Sequence, residues 1–208
     1  KSVLGAQIAV AWALGRDHPD VKRWAHLNAW PHLDRIPAAG GRVCCTSLTS
    51  NESMRVQRPL VEAYLPPGLA RWRNRYGAGE AHADLKGAGL LLFKTADQGA
   101  RAFQADSWDF FWGDEEMPEP VWNEAMMRLV DRRGHGLKTM TPLRGKTWVY
   151  DRFFDDKEEG SATSAIWGEH NPHIPADALA AQLRTYGQHE RAARARGEFT
   201  SLEGRVYE

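Results

Sequence analysis

Phe110-Phe111-Trp112-Gly113-Asp114-Glu115-Glu116 is the stretch on which the reading of this chain turns. Trp108 to Gly113 is a compact apolar run, short enough for a strand buried on both faces. Three carboxylates follow it without a spacer. Acid is thereby placed at the carboxyl end of a buried strand, the edge at which open α/β sheets bind their ligands.

Working outward, Leu85 to Thr95 ends in a second apolar run suited to a buried strand, and Asp97 to Phe103 leaves room for only a short helix between the two. Pro120 to Asp131 returns to helical spacing, with Pro120 in the first turn, where a missing N–H is tolerated. Leu137 to Thr141 reads as another strand. Toward the N-terminus, Lys1 to Arg16 is apolar at mixed helical spacing, which predicts a helix buried on most sides. Pro31, Pro37, Gly40 and Gly41 then break the chain ahead of a strand from Arg42 to Thr49. A second helix is expected after Ser50 or Asn51 as N-cap, stopping at Pro66-Pro67-Gly68, with Pro59 inside it. Ala176 to Ala195 should be helical and Gly197 to Glu208 extended. Strands alternating with helices over short loops predict an α/β fold, a mostly parallel sheet flanked by helices.

Of the 208 residues, 42% are hydrophobic and 26% charged, enough for one sizeable core with a small appendage. Lys plus Arg and Asp plus Glu number 27 each, so no global positive field draws the chain to nucleic acid and any such contact must be local. Two arginine clusters, Arg71, Arg73, Arg75 and Arg191, Arg194, Arg196, read first as solvated faces. No stretch approaches the roughly 20 apolar residues of a membrane span, and no leader pattern is visible, so a cytoplasmic setting is expected. Cys44 and Cys45 point to opposite faces if they lie on a strand, and read as reduced core thiols. The histidines show no zinc spacing, and the tryptophans sit among apolar neighbours as core residues.

Two further features join the acidic strand end. Lys1-Ser2 stands at the head of an apolar helix, as does the Lys-Ser/Thr that ends a GxxxxGK[ST] loop, in which the Lys reaches the β- and γ-phosphates and the hydroxyl ligates Mg²⁺. In that setting the first acid of a strand-end pair holds Mg²⁺ and the adjacent Glu polarises the attacking water, roles that fall to Asp114 and Glu115. Thr139-Met140-Thr141-Pro142 reads equally as hydroxyls placed to sense the γ-phosphate or as a simple strand-to-turn transition with Pro142 ending the pairing. Arg128 could reach phosphate or form a surface ion pair, and Glu116 reads as a solvated or capping acid. Taken alone, the acidic pair serves equally well as a helix cap.

With those residues in view, the sequence resembles the large terminase subunit of tailed phages. The resemblance runs from Lys1-Ser2 through LLFKTADQGARAFQ, DFFWGDEEMPEPVWNEAMMRLVDRRG and LKTMTPLRGKTWVYDRF to NPHIP and RARGEFTSLEGRVYE. It implies a P-loop NTPase fold of the ASCE type over residues 1–208, with roughly 151–208 a helical and extended segment, and an ATP hydrolase that drives double-stranded DNA into a procapsid. It also implies Lys1 and Ser2 as the end of the Walker A loop, Asp114 as the Walker B acid, Glu115 as the catalytic glutamate, and Thr139 and Thr141 as the coupling motif. The implied cofactors are ATP and Mg²⁺. The implied partners are double-stranded DNA, a portal protein, a small terminase subunit and like subunits in a ring, one of which could lend an arginine, all in the cytoplasm of a host bacterium. The resemblance implies that the sequence starts inside the Walker A loop and stops ahead of a nuclease domain, so weak ATP binding and no DNA cleavage are expected. Two alternatives stand beside it: a two-metal nuclease built on Asp109, Asp114 and Glu115, and a non-catalytic docking fragment.

Overall fold

The computed structural model describes residues 1–171 and 174–200, which divide into two compact units, Lys1–Thr139 and the described residues from Met140 onward. The first unit opens with α1 (Ser2–Leu14) and α2 (Pro19–Leu27). There follow β1 (Arg42–Ser47), a single helical turn α3 (Ser50–Glu52), a π-helical turn (Ser53–Gln57) and α4 (Arg58–Tyr64). The remaining elements are β2 (Ala70–Arg73), β3 (Ala81–Leu85), β4 (Leu90–Thr95), β5 (Phe110–Asp114), α5 (Glu119–Met127) and β6 (His135–Thr139). They form one six-stranded sheet in the order β2-β3-β4-β1-β5-β6. β4, β1, β5 and β6 run parallel, whereas β2 and β3 add antiparallel at one edge. The mostly parallel α/β sheet expected from the sequence is present.

The central strands are buried because both faces are covered. Along β5, Phe110 and Trp112 face α1: Trp12 stacks on Phe110 with ring centroids 4.9 Å apart. Phe111 faces the other way, against Phe103, Trp108 and Trp122 of the opposite layer. This alternation is the period-two geometry of a strand. α1 is buried along Gly5, Ala6 and Ala9–Leu14, and Gly5 packs directly on the sheet at Trp112. A Cβ built there would lie 2.3 Å from the Trp112 indole, so only glycine lets the helix settle on that ring.

Several expectations are corrected in detail. The second helix is capped one residue earlier, by Thr49, in a reciprocal capping box with Glu52. Pro59 does not break it. With no N–H for the carbonyl of Arg55, the chain widens into the π turn, where Arg58 N–H bonds Ser53 O. β6 runs from 135 to 139 rather than 137 to 141, because its partner β5 ends at Asp114, opposite Thr139, and nothing remains beyond for a strand to pair with. The β2–β3 hairpin was not expected. Its connecting loop hangs on Arg58, 2% exposed, whose guanidinium donates to the carbonyls of Asn74, Arg75, Gly77 and Gly79 while Nε donates to Ser53 Oγ. Arg73 and Arg75 pair with Asp84 and Glu62. Cys44 and Cys45 are free and buried, as read.

The second unit holds α6 (Trp148–Tyr150), followed by a π turn, then α7 (Ala176–Leu183) and α8 (Gln188–Arg196). The single helix expected over 176–195 is therefore interrupted, with Gly187 as the N-cap of α8. Arg194 and Arg196 pair with Glu190 and Glu198. Most of the extended exit, residues 201–208, and Pro172-His173 of the NPHIP motif lie outside the described residues. No helix among the described residues is long and apolar enough to cross a membrane.

Candidate active site

The chain leaves β1 toward β4 on one side and leaves β5 toward β6 on the other, so the carboxyl ends of the neighbours β1 and β5 flank a topological switch point. Such a point opens a crevice between diverging connections. A cavity of about 160 Å³ lies there, lined by Ser2, Ser47, Glu52, Val56, Gln57, Asp114 and Glu115.

Asp114 ends β5 on the α1 face and is 7% exposed. Its Oδ1 accepts from Ser2 Oγ at 3.0 Å and from Thr139 Oγ1 at 2.7 Å. Ser2 arrives there because α1 begins directly over the end of β5. Thr139 arrives because the parallel register sets it opposite Asp114, on the same face. Its hydroxyl accepts in turn from Trp112 Nε1 at 2.9 Å, so the indole against Gly5 also orients the hydroxyl that grips the acid.

Glu115 has φ +66°, the left-handed region that a non-glycine residue enters at a cost of about 1–3 kcal/mol. Its N–H is anchored to Thr139 O at 2.7 Å, which holds the strained conformation in place. Its carboxylate pairs with the Lys1 ammonium, which also stands 4.0 Å from Asp114 Oδ1.

Lys1, Ser2, Asp114, Glu115 and Thr139 are thus gathered at one point. Thr141 falls past the end of β6, in the second unit. Arg128 lies by the opposite end of β5, where its carbonyl accepts from Trp108 N–H. Its guanidinium pairs with Glu124 at 3.1 Å and donates to Gln104 O. Asp109 also sits at that far end. It accepts from Arg42 N–H and pairs with Arg132, which removes it from any shared centre with Asp114 and Glu115 and leaves the nuclease reading without its third acid. Glu116 is neither solvated nor a cap: it is 8% exposed, Oε2 has no hydrogen-bond partner among the described residues, and its charge acts on Lys138. Burial pushes the Lys138 ammonium down to about 8, against the opposing pull of Glu116 and Glu115.

Ser47, Glu52 and Gln57 were not singled out in the sequence, and Trp112 was read only as a core residue. Ser47 could have been, as the polar end of a buried strand. Gln57 could not, because its direction depends on the π turn.

The oxygen donors fit Mg²⁺. One carboxylate and one hydroxyl within hydrogen-bond distance suit a cation that keeps several waters and takes its other ligands from phosphates. Among the described residues no cluster of three or more His, Cys, Asp or Glu side chains forms an all-protein metal cage.

Known proteins agree with this fold. Large terminase structures from a thermophilic bacteriophage share the fold. One aligns with TM-score 0.61 at 15% identity over 77% of this chain and 41% of that one. Another, in complex with ATP-γ-S, aligns with TM-score 0.54 at 14% identity over 94% of this chain and 51% of that one. The large terminase subunit of Salmonella phage P22 is 28% identical over 122 residues, 59% of this chain and 24% of that protein. The chain therefore spans about a quarter of the length of that relative. Residues 1–208 match the family described as terminase large subunit, T4likevirus-type, N-terminal, and it is to this family that the chain belongs.

Proposed function

We propose that this site hydrolyses ATP and that the chain is the ATPase region of a DNA-packaging motor. The observation that carries the reading is the Asp114 carboxylate at the switch point, hydrogen-bonded by Ser2 and Thr139 beside a strained Glu115. Lys1 and Ser2 at the head of α1 face the phosphates, and Glu115 polarises the attacking water. Ser2 and Asp114 are the residues that would hold Mg²⁺, whose chemistry when bound is to neutralise the phosphate oxygens. The ion pair between Lys1 and Glu115 holds both groups until phosphates compete for the ammonium, which releases the carboxylate from Lys1.

Thr139 is suited to couple hydrolysis to movement, since one hydroxyl joins the metal-holding acid to the indole beneath α1. Thr141 completes the coupling motif. The work is translocation of double-stranded DNA into a procapsid, in a ring of like subunits docked on a portal protein and supplied by a small terminase subunit, in the host cytoplasm. Family membership supports these partners.

The test is Glu115→Gln in the gene product that carries this sequence. ATP turnover should fall by about 100-fold or more, with nucleotide affinity kept within a few-fold. Turnover equal to the unsubstituted protein would sink the assignment of Glu115.

A further inference from the structure

Gln57 is 1% exposed, yet neither Nε2 nor Oε1 of its carboxamide has a hydrogen-bond partner among the described residues. Buried polar groups are paired in the great majority of cases, and an exception calls for a water, a ligand or a catalytic role. Gln57 lines the same cavity as Asp114 and Glu115.

The other polar groups of that wall are already engaged. Ser47 Oγ donates to Thr49 O at 3.0 Å, and Glu52 Oε2 accepts from Thr49 N–H at 3.0 Å. Ser53, one turn back, has its hydroxyl taken by Arg58 Nε. The carboxamide is left with one acceptor and one donor group and, among the described residues, no atom to meet either. It sits at the end of the π turn that Pro59 follows, and such wide turns recur at functional sites.

We propose that Gln57 is a catalytic residue whose carboxamide contacts the attacking water through Oε1 and a γ-phosphate oxygen through Nε2. The inference rests on the ATPase reading above and adds a residue to it. Its chemistry suits the task, because a neutral amide orients water without competing for its proton. As the water oxygen bonds the γ-phosphorus, the bond from that phosphorus to the β,γ-bridging oxygen breaks and ADP leaves. The water proton passes to Glu115, which returns it to solvent, and phosphate is the second product. No bond to Gln57 forms or breaks. The cavity, at about 160 Å³, has room for several waters or a phosphate group.

The experiment compares Gln57→Leu and Gln57→Met with the unsubstituted gene product. It measures kcat, ADP affinity, capture of ADP with aluminium fluoride and Mg²⁺, and Tm. Both variants replace unpaired polar atoms by apolar ones of similar bulk, so Tm should hold or rise and ADP affinity should stay within about threefold, while kcat falls about 10- to 100-fold. Capture of the fluoride complex, which mimics the transferred phosphoryl group, should weaken with kcat. Unchanged kcat and capture in both variants would overturn the role of Gln57. So would parallel loss of Tm, ADP affinity and kcat in both, which marks a residue that holds the fold. If the unsubstituted protein turns over no ATP and captures no fluoride complex, the ATPase reading falls and this inference with it. If it does both and the variants match it, only the inference falls.

Discussion

Asp109 and Asp114 bracket the same strand, five residues apart, and the structure treats them in opposite ways. Asp109, at the amino end of β5, meets a peptide N–H of Arg42 and the Arg132 guanidinium 3.3 Å away. Its charge is answered within the protein. Asp114, at the carboxyl end, accepts from two neutral hydroxyls, and the nearest cation, Lys1, stands at 4.0 Å and pairs more closely with Glu115. Hydroxyl donors fix the direction of the carboxylate and leave most of its charge to be met by a ligand. An acid becomes a site through the neutrality of its partners and its edge of the sheet, more than through its residue type.

The largest effect should separate the two aspartates. Asp114→Asn is expected to lower ATP turnover by about 100-fold or more with little change in Tm. Asp109→Asn is expected to cost about 1–3 kcal/mol of stability and leave turnover per folded molecule within twofold. Steady-state ATPase assays with thermal melts on both variants decide this. Loss of turnover in Asp109→Asn at full stability would break the comparison.

A smaller effect is expected one bond further out. Thr139→Val removes the donor to Asp114 and the acceptor for Trp112 Nε1, and should lower turnover about tenfold and raise the Mg²⁺ concentration needed for half activity. Thr139→Ser keeps both bonds and should restore most of the loss. Rescue by Ser but not Val distinguishes positioning from packing.

The smallest effect is electrostatic and concerns the site edge. Lys138 titrates at about 8 in the folded chain because burial outweighs the nearby Glu116 and Glu115, against about 10.4 when unfolded. Between those values the unfolded state binds the extra proton, so the destabilisation is fully present below about pH 8 and is relieved as the pH rises toward 10. Cys44, pushed up to about 12 by burial, acts in the opposite direction: its unfolded thiol ionises near 8.5 and stability is lost as the pH climbs from there. Lys138→Met isolates the first term. Its Tm should exceed that of the unsubstituted chain at pH 7, by a few degrees at most, and the gap should close between pH 8 and 10. A gap that widens over that range would reverse the sign argued here.

Much of this was legible in the sequence, because the features involved are local. The β5 run, the apolar α1 and the helix after Pro118 follow from periodicity and punctuation, and Asp114-Glu115 follows from being contiguous with its strand. The β2–β3 hairpin was hidden because Ala70–Arg73 is an edge strand of four residues, alternately half-buried and exposed, and its loop depends on Arg58 from a different element. The interrupted helix over 176–195 was hidden because the Ala- and Arg-rich composition is helical throughout, and the break falls at Gly187.

The sequence by itself determined the buried central strands, the apolar α1, the acid at a strand end and the family resemblance, since these depend on neighbours within a few residues. Only the tertiary structure decided which acids share a centre. Asp109 and Asp114 are close in sequence, but the strand between them, at roughly 3.3 Å per residue, carries them to opposite edges of the sheet. Ser2, Gln57 and Thr139 lie far from Asp114 in sequence, and strand register and helix packing bring them to its edge. Parallel pairing sets Thr139 against Asp114, a missing Cβ at Gly5 lets α1 deliver Ser2, and a widened turn before Pro59 carries Gln57 to the cavity with its amide unpaired.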